Sequence, residues 1–186
     1  MTDKTFNSNV AGATDKLVDM GDGTFAHRVA VVAQGFAAVA SFARPNDTTA
    51  YTANDVEGGA LEFDGIGPSA GGQVIITTAK LEQDVSAVPS GETSFRLYLY
   101  SVTPPSAYAD NAAWDLLSGD RASFAGYVDL GTPVDLGSTC YVETSGINKQ
   151  VTVPAGGKLF GYLVTNGGYT PSAQSVKKIT LHSVAV

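Results

Sequence analysis

The stretch "TSFRLYLYSV", residues 93–102, alternates between apolar and more polar side chains with a period of two. Phe95, Leu97 and Leu99 fall on one face of an extended backbone, while the intervening arginine and tyrosines fall on the other. Aromatic residues and this alternation are typical of a β-strand that has one face in a core. The stretch therefore predicts a strand and supplies the pattern against which the rest of the chain is compared.

Short runs of the same kind recur on both sides of this strand, separated by Gly, Pro, Asn and Asp residues that favour turns. The runs are residues 73–85, 122–131, 138–146, 149–156, 158–168 and 177–186. Short, regularly spaced strands favour an antiparallel sandwich or barrel over alternating βαβ units. We predict an all-β fold: an antiparallel, jelly-roll-like β-sandwich with an extended N-terminal arm and at most one short helix, at residues 109–121.

The N-terminal part differs in composition from the remainder. Residues 1–20 are polar, and a Gly-Asp-Gly turn signal at 21–23 precedes "HRVAVV". The apolar run at 29–42 is shorter than the roughly 20 residues that a bilayer span needs, and it starts too far along the chain for a signal peptide. We predict an arm and docking strand over residues 1–42, a sandwich over 43–186, and no membrane segment.

Charge and cysteine content exclude several kinds of function. The net charge of −7 and the pI of about 4.6 disfavour binding to a phosphate backbone, so we predict no nucleic-acid partner. The adjacent basic pair, Lys177 and Lys178, is interpreted as part of a solvated strand edge. Cys140 is the single cysteine, which excludes an intramolecular disulfide and a zinc site of several cysteines; we expect a buried thiol.

Residue types that carry chemistry are few. His27 and His182 are the two histidines, and the GxSxG nucleophile motif is absent. Asp47, Asp55 and Glu57 supply oxygens that suit Ca²⁺, but their spacing is not that of a calcium-binding loop and is also ordinary turn chemistry. We therefore predict no catalytic residue, no cofactor and no metal site, and a protein that is not an enzyme.

Aromatic residues on the predicted strands have two interpretations. Tyr98, Tyr100 and Trp114 would suit a platform on which sugar rings stack, which would make the chain a carbohydrate-binding module. Aromatic side chains on strands also commonly pack in cores or against neighbouring strands. We favour the packing interpretation and keep the glycan contact as the alternative.

Several long phrases resemble structural proteins of tailed-bacteriophage virions. They are "DGTFAHRVAVVAQ" (22–34), "ARPNDTTAYTANDVEGG" (43–59), "VPSGETSFRLYLYSVTPPSAYADNAAWDLLSGDRASFAGYVDLG" (88–131) and "LFGYLVTNGGYTPSAQSVKKITLHSV" (159–184). The resemblance extends over most of the chain from about residue 20 onward and contains no catalytic motif. It implies a virion component that is assembled in the host cytoplasm.

Within that class, our first hypothesis is a capsid decoration, cement or head-fibre protein, because such a protein needs a compact β-domain and an arm that lies on the shell. The expected partners are the major capsid protein or other virion proteins, together with copies of the chain itself in a homo-oligomer, for which a trimer is our guess. We expect Phe25, His27, Arg28, Val29 and Val31 to contact the capsid or a neighbouring subunit, because an extended segment can add a strand to a sheet edge. The alternative within the virion is a tail-fibre or baseplate component that contacts the host receptor.

Overall fold

A computed structural model describes residues 34–186 in full, together with three N-terminal strands: β1 (Thr5–Asn7), β2 (Thr14–Asp19) and β3 (Phe25–His27). The three strands form an antiparallel sheet in the order β1-β2-β3, with Val18 opposite Ala26. The described part of the expected arm is thus a small sheet and not one continuous extended segment.

Residues 34–186 form a separate compact unit made of nine strands. The strands are β4 (Gly35–Ala43), β5 (Val56–Phe63), β6 (Gly72–Gln83), β7 (Phe95–Tyr100), β8 (Phe124–Leu130), β9 (Val134–Asp135), β10 (Cys140–Val153), β11 (Leu159–Thr165) and β12 (Val176–Ala185). Every pair of neighbouring strands is antiparallel. The predicted all-β class is confirmed.

The strand order is that of a jelly roll. One sheet has the order β4-β12-β6-β10-β9 and the other β5-β11-β7-β8. Apart from the two-residue β9, the first strand pairs with the last, the second with the second last, and so on inward to the β7–β8 pair. This is a long antiparallel ribbon, folded at its middle and rolled so that alternate strand pairs lie in opposite sheets. The predicted jelly-roll-like sandwich is confirmed.

The main core lies between the two sheets. Phe95, Leu97 and Leu99 of β7 are fully buried in it, as their alternation predicted. They meet inward-facing residues of the five-stranded sheet, among them Ile76 of β6 and Ile179 of β12. Burial of apolar area on these alternate positions is the main favourable term in forming the sandwich.

β5 is a strand that the runs predicted from the sequence do not include. Its sequence, "VEGGALEF", contains two glycines, which weaken the strand pattern. Gly58 has a positive φ of 79°, and a Cβ atom there would lie 2.5 Å from a ring carbon of Phe42. Glycine is therefore favoured at this position for two reasons. Its backbone conformation is unfavourable for other residues, and the ring of Phe42 leaves no room for a Cβ atom.

The segment between β7 and β8, residues 101–123, crosses the outer face of the four-stranded sheet; we call it the cover segment. It contains turns and a β-bridge between Asp55 and Ala113, and no helix forms at 109–121, which is within the prediction of at most one short helix. Backbone bonds to β5 replace helical ones: the amide of Val56 donates to the carbonyl of Ala112 at 2.8 Å, and Asn111 donates to Val56 at 2.8 Å. No helix among the described residues is long and apolar enough to cross a membrane.

The compact unit begins at Gln34, whereas the sequence placed the division after residue 42. β4 pairs with β12 along its whole length, from Val176 opposite Ala43 to Val184 opposite Gly35. The second half of the apolar run at 29–42 is therefore an integral strand of the five-stranded sheet. The expected docking segment is reduced to residues before this strand.

Candidate functional site

The expected contact residues lie near or outside the limits of the described structure. Phe25 and His27 are the two ends of β3, where Phe25 pairs with Asp19 and His27 with Leu17. Arg28, Val29 and Val31 lie outside the described residues. Their predicted contact with a capsid or a neighbouring subunit stays a prediction.

The three aromatic residues of the glycan alternative form a second, smaller core beneath the cover segment. The ring of Tyr98 stacks on Trp114 with centroids 3.6 Å apart and planes 13° from parallel. Tyr100 is fully buried, which raises the pKa of its hydroxyl to about 12, and Trp114 Nε1 donates to that hydroxyl at 3.3 Å. Because Trp114 occupies the face of Tyr98, the three rings do not present a shared exposed platform. Packing is the interpretation that the structure supports.

A polar network lies at the end of the sandwich where β4 and β6 terminate. Arg44 is 3% exposed, and its Nε donates to the Tyr51 hydroxyl at 2.5 Å. That hydroxyl donates to Asp110 Oδ1 at 2.6 Å, and Arg44 Nη2 lies 3.3 Å from Asp110 Oδ2. The amide of Gly58 also donates to Asp110, at 2.7 Å. A single carboxylate therefore fastens the cover segment to β5 and to the loop between β4 and β5.

The second part of the network is an ion pair inside the sandwich. Lys177 of β12 and Glu57 of β5 are 1% and 0% exposed and are in direct contact, so the pair joins the two sheets. The Tyr169 hydroxyl donates to Glu57 at 2.5 Å and accepts from Lys177 at 2.7 Å. The lysine ammonium also lies 4.3 Å from the ring centroid of Phe95. The expectation that Lys177 is solvated is wrong, because β12 is a central strand and this side chain points inward.

Glu92 adds a buried carboxyl next to this pair. Gln83 Nε2 donates to its Oε1 at 2.7 Å, whereas its Oε2 is buried without a hydrogen-bond partner among the described residues. Burial raises the pKa of Glu92, and the positive charge of Lys177 opposes the rise only in part. The fold therefore favours the neutral form of Glu92 more than the unfolded chain does.

The acidic residues that were considered for calcium are engaged separately. The exposed Asp47 accepts from the backbone amide of Thr49 at 3.0 Å, which lowers its pKa. Asp55 accepts from the Thr52 amide at 2.6 Å, and Glu57 is held by Lys177. Among the described residues, no three His, Cys, Asp or Glu side chains are grouped as a metal site requires. These carboxylates act as turn and ion-pair partners.

Cys140 and His182 occupy the positions that the sequence indicated. Cys140 is a buried free thiol on β10, and burial raises its pKa, which disfavours a reactive thiolate. His182 is half-exposed on the outer face of the five-stranded sheet, where it follows the exposed Lys178 and half-exposed Thr180 at alternate positions of β12.

A surface groove between β8 and β10 has no counterpart in the sequence interpretation. It encloses about 520 Å³ and includes Tyr127 and Lys149 in its lining. Tyr127 is 46% exposed; the guanidinium of Arg96 lies 4.5 Å from the centroid of its ring and binds Asp129 at 2.8 Å. Sequence alternation places Tyr127 on an outer face, but the neighbouring arginine comes from β7, so only strand pairing brings the two together.

The described residues thus form a polar network in two parts, an aromatic core under the cover segment, and a surface groove between β8 and β10. Buried hydrogen-bonded charges of this kind add little net stability but penalise arrangements in which either partner is left alone. No family model and no curated protein sequence matches this chain.

Proposed function

We propose that this chain is a bacteriophage virion structural protein: a capsid decoration, cement or head-fibre component. The proposal has the N-terminal segment bind the major capsid protein or another virion protein, with the jelly roll standing outside the shell. Assembly takes place in the host cytoplasm and the working location is the virion. The proposal starts from the sequence resemblance, since a fold class alone does not imply a function.

The observation that carries the proposal is the way in which the jelly roll is fastened. Lys177 and Glu57 join the two sheets inside the sandwich, and Asp110 joins the cover segment to β5 and to the loop that follows β4. A decoration protein needs a compact domain that keeps one arrangement under load on a particle surface. Buried charge pairs whose separation is strongly unfavourable supply that property.

The division of the chain into two units also supports this function. Residues 1–33 and 34–186 are separate compact units, which fits a body with an attachment segment. In the proposal Phe25, His27, Arg28, Val29 and Val31 contact the capsid or an adjacent subunit. Strand addition to an exposed sheet edge gains main-chain hydrogen bonds without a deep pocket.

The second candidate is a tail-fibre or baseplate component that contacts the host receptor. The groove lined by Tyr127 and Lys149 favours it, because a half-exposed aromatic ring beside cationic groups suits a polar or glycan ligand. In this alternative the groove is the contact surface.

Copy number and position in the particle test the two candidates. Particles purified from cells that carry this gene are digested, and the chain is quantified by mass spectrometry against a capsid protein. Hundreds of copies per particle support the head assignment, and a few dozen or fewer support the tail. Absence of the chain from purified particles would overturn both, and density located on the shell or on the tail in particle images decides between them.

Attachment through the N-terminal segment is tested in the same particles. We expect the full chain with Val29→Asp and Val31→Asp to be lost from particles. The matched control is Val134→Asp, an exposed valine of β9 in the other unit. Retention of the double variant at the unmodified copy number would contradict attachment through this segment.

A further inference from the structure

The jelly roll has several sheet edges, and most of them carry features that prevent strand addition. β5 contains Glu57 and Glu62 and a register shift opposite Gly161 and Leu163 of β11. β8 contains an acidic residue, Asp129, and a register shift against β7. Charges, bulges and short strands are the usual ways in which natural sheets protect their edges.

The far edge of the five-stranded sheet is protected in the same manner. β9 is two residues long and follows Pro133. Beyond it, the free edge of β10 carries Glu143 and has a register shift between Ser145 and Lys149. A second strand cannot pair regularly along an edge that is interrupted and charged.

β4 is the exception among the described strands at an edge of the sandwich. Its nine residues, "GFAAVASFA", include no charged residue and no proline. Its register with β12 is continuous from Gly35 to Ala43 without a shift, and Val39 at its centre is 52% exposed. A long, regular, uncharged edge is a template for pairing with another strand.

The hydrogen-bond pattern shows which groups this edge offers. The amide of Arg44 donates to Ser175 at 3.0 Å, and the carbonyl of Gln34 accepts from Ala185 at 2.9 Å. Even-numbered residues of β4 therefore face β12, because bonding direction alternates along an antiparallel strand. The N–H and C=O groups that point away from β12 belong to Gly35, Ala37, Val39, Ser41 and Ala43.

We propose that β4 pairs antiparallel with β4 of a second copy, about a two-fold axis at Val39, to form one continuous sheet across a dimer. In that register Val39 faces its counterpart, Ala37 faces Ser41, and Gly35 faces Ala43. Each of these pairs brings outward-facing N–H and C=O groups together, so about ten new backbone hydrogen bonds form.

The side chains on the inner side of β4 suit the same register. Phe36 and Phe42 are both half-buried, and the two-fold axis places Phe36 of one copy opposite Phe42 of the other. These positions are non-hydrogen-bonded pairs, in which cross-strand side chains come closest. The dimer thus gains two aromatic pairs from rings that a single copy leaves partly exposed.

Because β4 carries no charged residue, two copies can meet along this edge without opposing like charges. Two molecules of net charge −7 repel each other, and contact is least unfavourable where neither presents a charge. On the neighbouring strand, Lys178 is already paired with Glu82 at 2.6 Å. A partner with a charged strand would leave that charge opposite uncharged alanine and valine.

This pairing goes beyond the virion proposal and does not depend on it, because it needs no capsid. It replaces the guessed trimer with a two-fold dimer, since pairing of one edge with its own copy closes after two subunits. If the chain proves monomeric, the conclusions from the particle experiments still stand. If the chain is absent from particles, the conclusion about the dimer still stands.

The test is the mass of the full chain in solution, measured by sedimentation equilibrium and light scattering over the micromolar range. We expect the unmodified protein to have twice the monomer mass of 19.1 kDa. Val39→Lys places two like charges opposite each other on the axis and should give a monomer. The matched control, Val134→Lys, changes an exposed valine on the opposite edge of the same sheet and should stay dimeric.

Two further variants test the register and separate pairing from misfolding. Ser41→Pro removes an amide that points away from β12, so it should abolish the dimer while circular dichroism and the melting temperature stay close to the unmodified values. Val39→Cys should form an intermolecular disulfide on mild oxidation, since the expected Cα separation of about 5.5 Å suits that bond. Cys140 is buried and does not compete.

Either of two results would overturn the proposal: an unmodified chain that is monomeric, or a Val39→Lys variant that folds and stays dimeric. A Val39→Cys variant that does not crosslink while Val134→Cys does would place the contact on the other edge.

Discussion

The two sheets of the sandwich share one core but differ on their outer faces. The outer face of the four-stranded sheet carries Tyr98, Tyr100 and Tyr162, and the cover segment lies over them to form a second core. The outer face of the five-stranded sheet carries exposed ion pairs, such as Lys178 with Glu82. Side chains alternate in the same way on both outer faces. One outer face is buried only because the connection between β7 and β8 packs over it.

This difference shows that the residues on one face of a strand do not by themselves decide whether that face is buried or exposed. The tyrosines are amphipathic and are compatible with either environment. A long connection that returns across the sheet removes them from water and supplies partners for their hydroxyls. For example, the Tyr162 hydroxyl donates to the carbonyl of Ser106 at 2.9 Å.

The largest expected effect is that of replacing Lys177, and its neighbour Lys178, on the opposite side of β12, is the comparison. Lys177→Met leaves the Glu57 carboxylate buried without its partner, and we expect a loss of about 3–5 kcal/mol in the free energy of unfolding. Lys178→Met removes only an exposed pair and should cost less than about 1 kcal/mol. Urea unfolding followed by circular dichroism measures both.

A double variant sharpens the same comparison. Lys177→Met combined with Glu57→Leu removes both charges, and most of the lost stability should return because no unpaired ion is left in the core. A double variant as unstable as Lys177→Met alone would show that packing around these two side chains matters more than their charges.

An intermediate effect is expected where the cover segment is fastened. Asp110→Ala deprives Arg44, the Tyr51 hydroxyl and the Gly58 amide of their shared acceptor, and we expect a loss of about 2 kcal/mol. Trp114 is the only tryptophan and stacks on Tyr98, so its fluorescence reports directly on the cover segment. In the variant its emission should shift to longer wavelength at a lower urea concentration than the loss of strand signal.

The control for this prediction lies in the same segment. The exposed side chain of Asp115 makes no hydrogen bond or ion pair within the described residues, so Asp115→Ala should leave both transitions in place. Coincident fluorescence and circular dichroism transitions in Asp110→Ala would mean that the cover segment and the sandwich unfold as one unit.

The smallest expected effect is the pH dependence of two carboxyls on opposite sides of the five-stranded sheet. Burial raises the pKa of Glu92, so the folded chain keeps a proton that the unfolded chain releases, and stability falls as pH rises above about 4. Glu92→Gln has no carboxyl at this position, so it does not lose stability in this way as pH rises. Its stability relative to the unmodified protein should therefore increase between about pH 4 and pH 7.

Glu143 on the outer face should show the opposite sign. The hydrogen bond from the Tyr141 hydroxyl lowers the pKa of Glu143 in the fold. The ionised carboxylate therefore stabilises the fold at pH values above the pKa of the unfolded chain, and this stability is lost as pH falls through the pKa of the folded chain. Glu143→Gln should be at a disadvantage at neutral pH, and that disadvantage should disappear in acid. Equal slopes for the two variants, measured by urea unfolding at several pH values, would contradict the distinction between the two environments.

Much of the fold followed from the sequence because hydrophobic alternation is a local property. The strand at 95–100 and its buried face were predicted from six consecutive residues. β5 was missed because Gly58 lowers strand propensity, and its role depends on the distant Phe42. β10 was predicted as two runs, since the bulge between Ser145 and Lys149 interrupts the pattern but not the strand.

The polar network was largely invisible to sequence analysis. Lys177 and Glu57 were interpreted as a solvated edge residue and a turn acid, because their partners are far apart in the chain. Arg44 and Tyr51 entered only as members of a phrase in the resemblance, and their contacts with each other and with Asp110 give them a structural role.

The sequence by itself determined the all-β class, the positions of most strands and the division of their residues between two faces, because these depend on neighbours along the chain. The tertiary structure decided the jelly-roll pairing of first strand with last, which lysine of an adjacent pair is buried, and which outer face is covered. Among the described edge strands of the sandwich, it left β4 without a charged residue. These outcomes depend on which distant segments meet, and local propensity does not encode that choice.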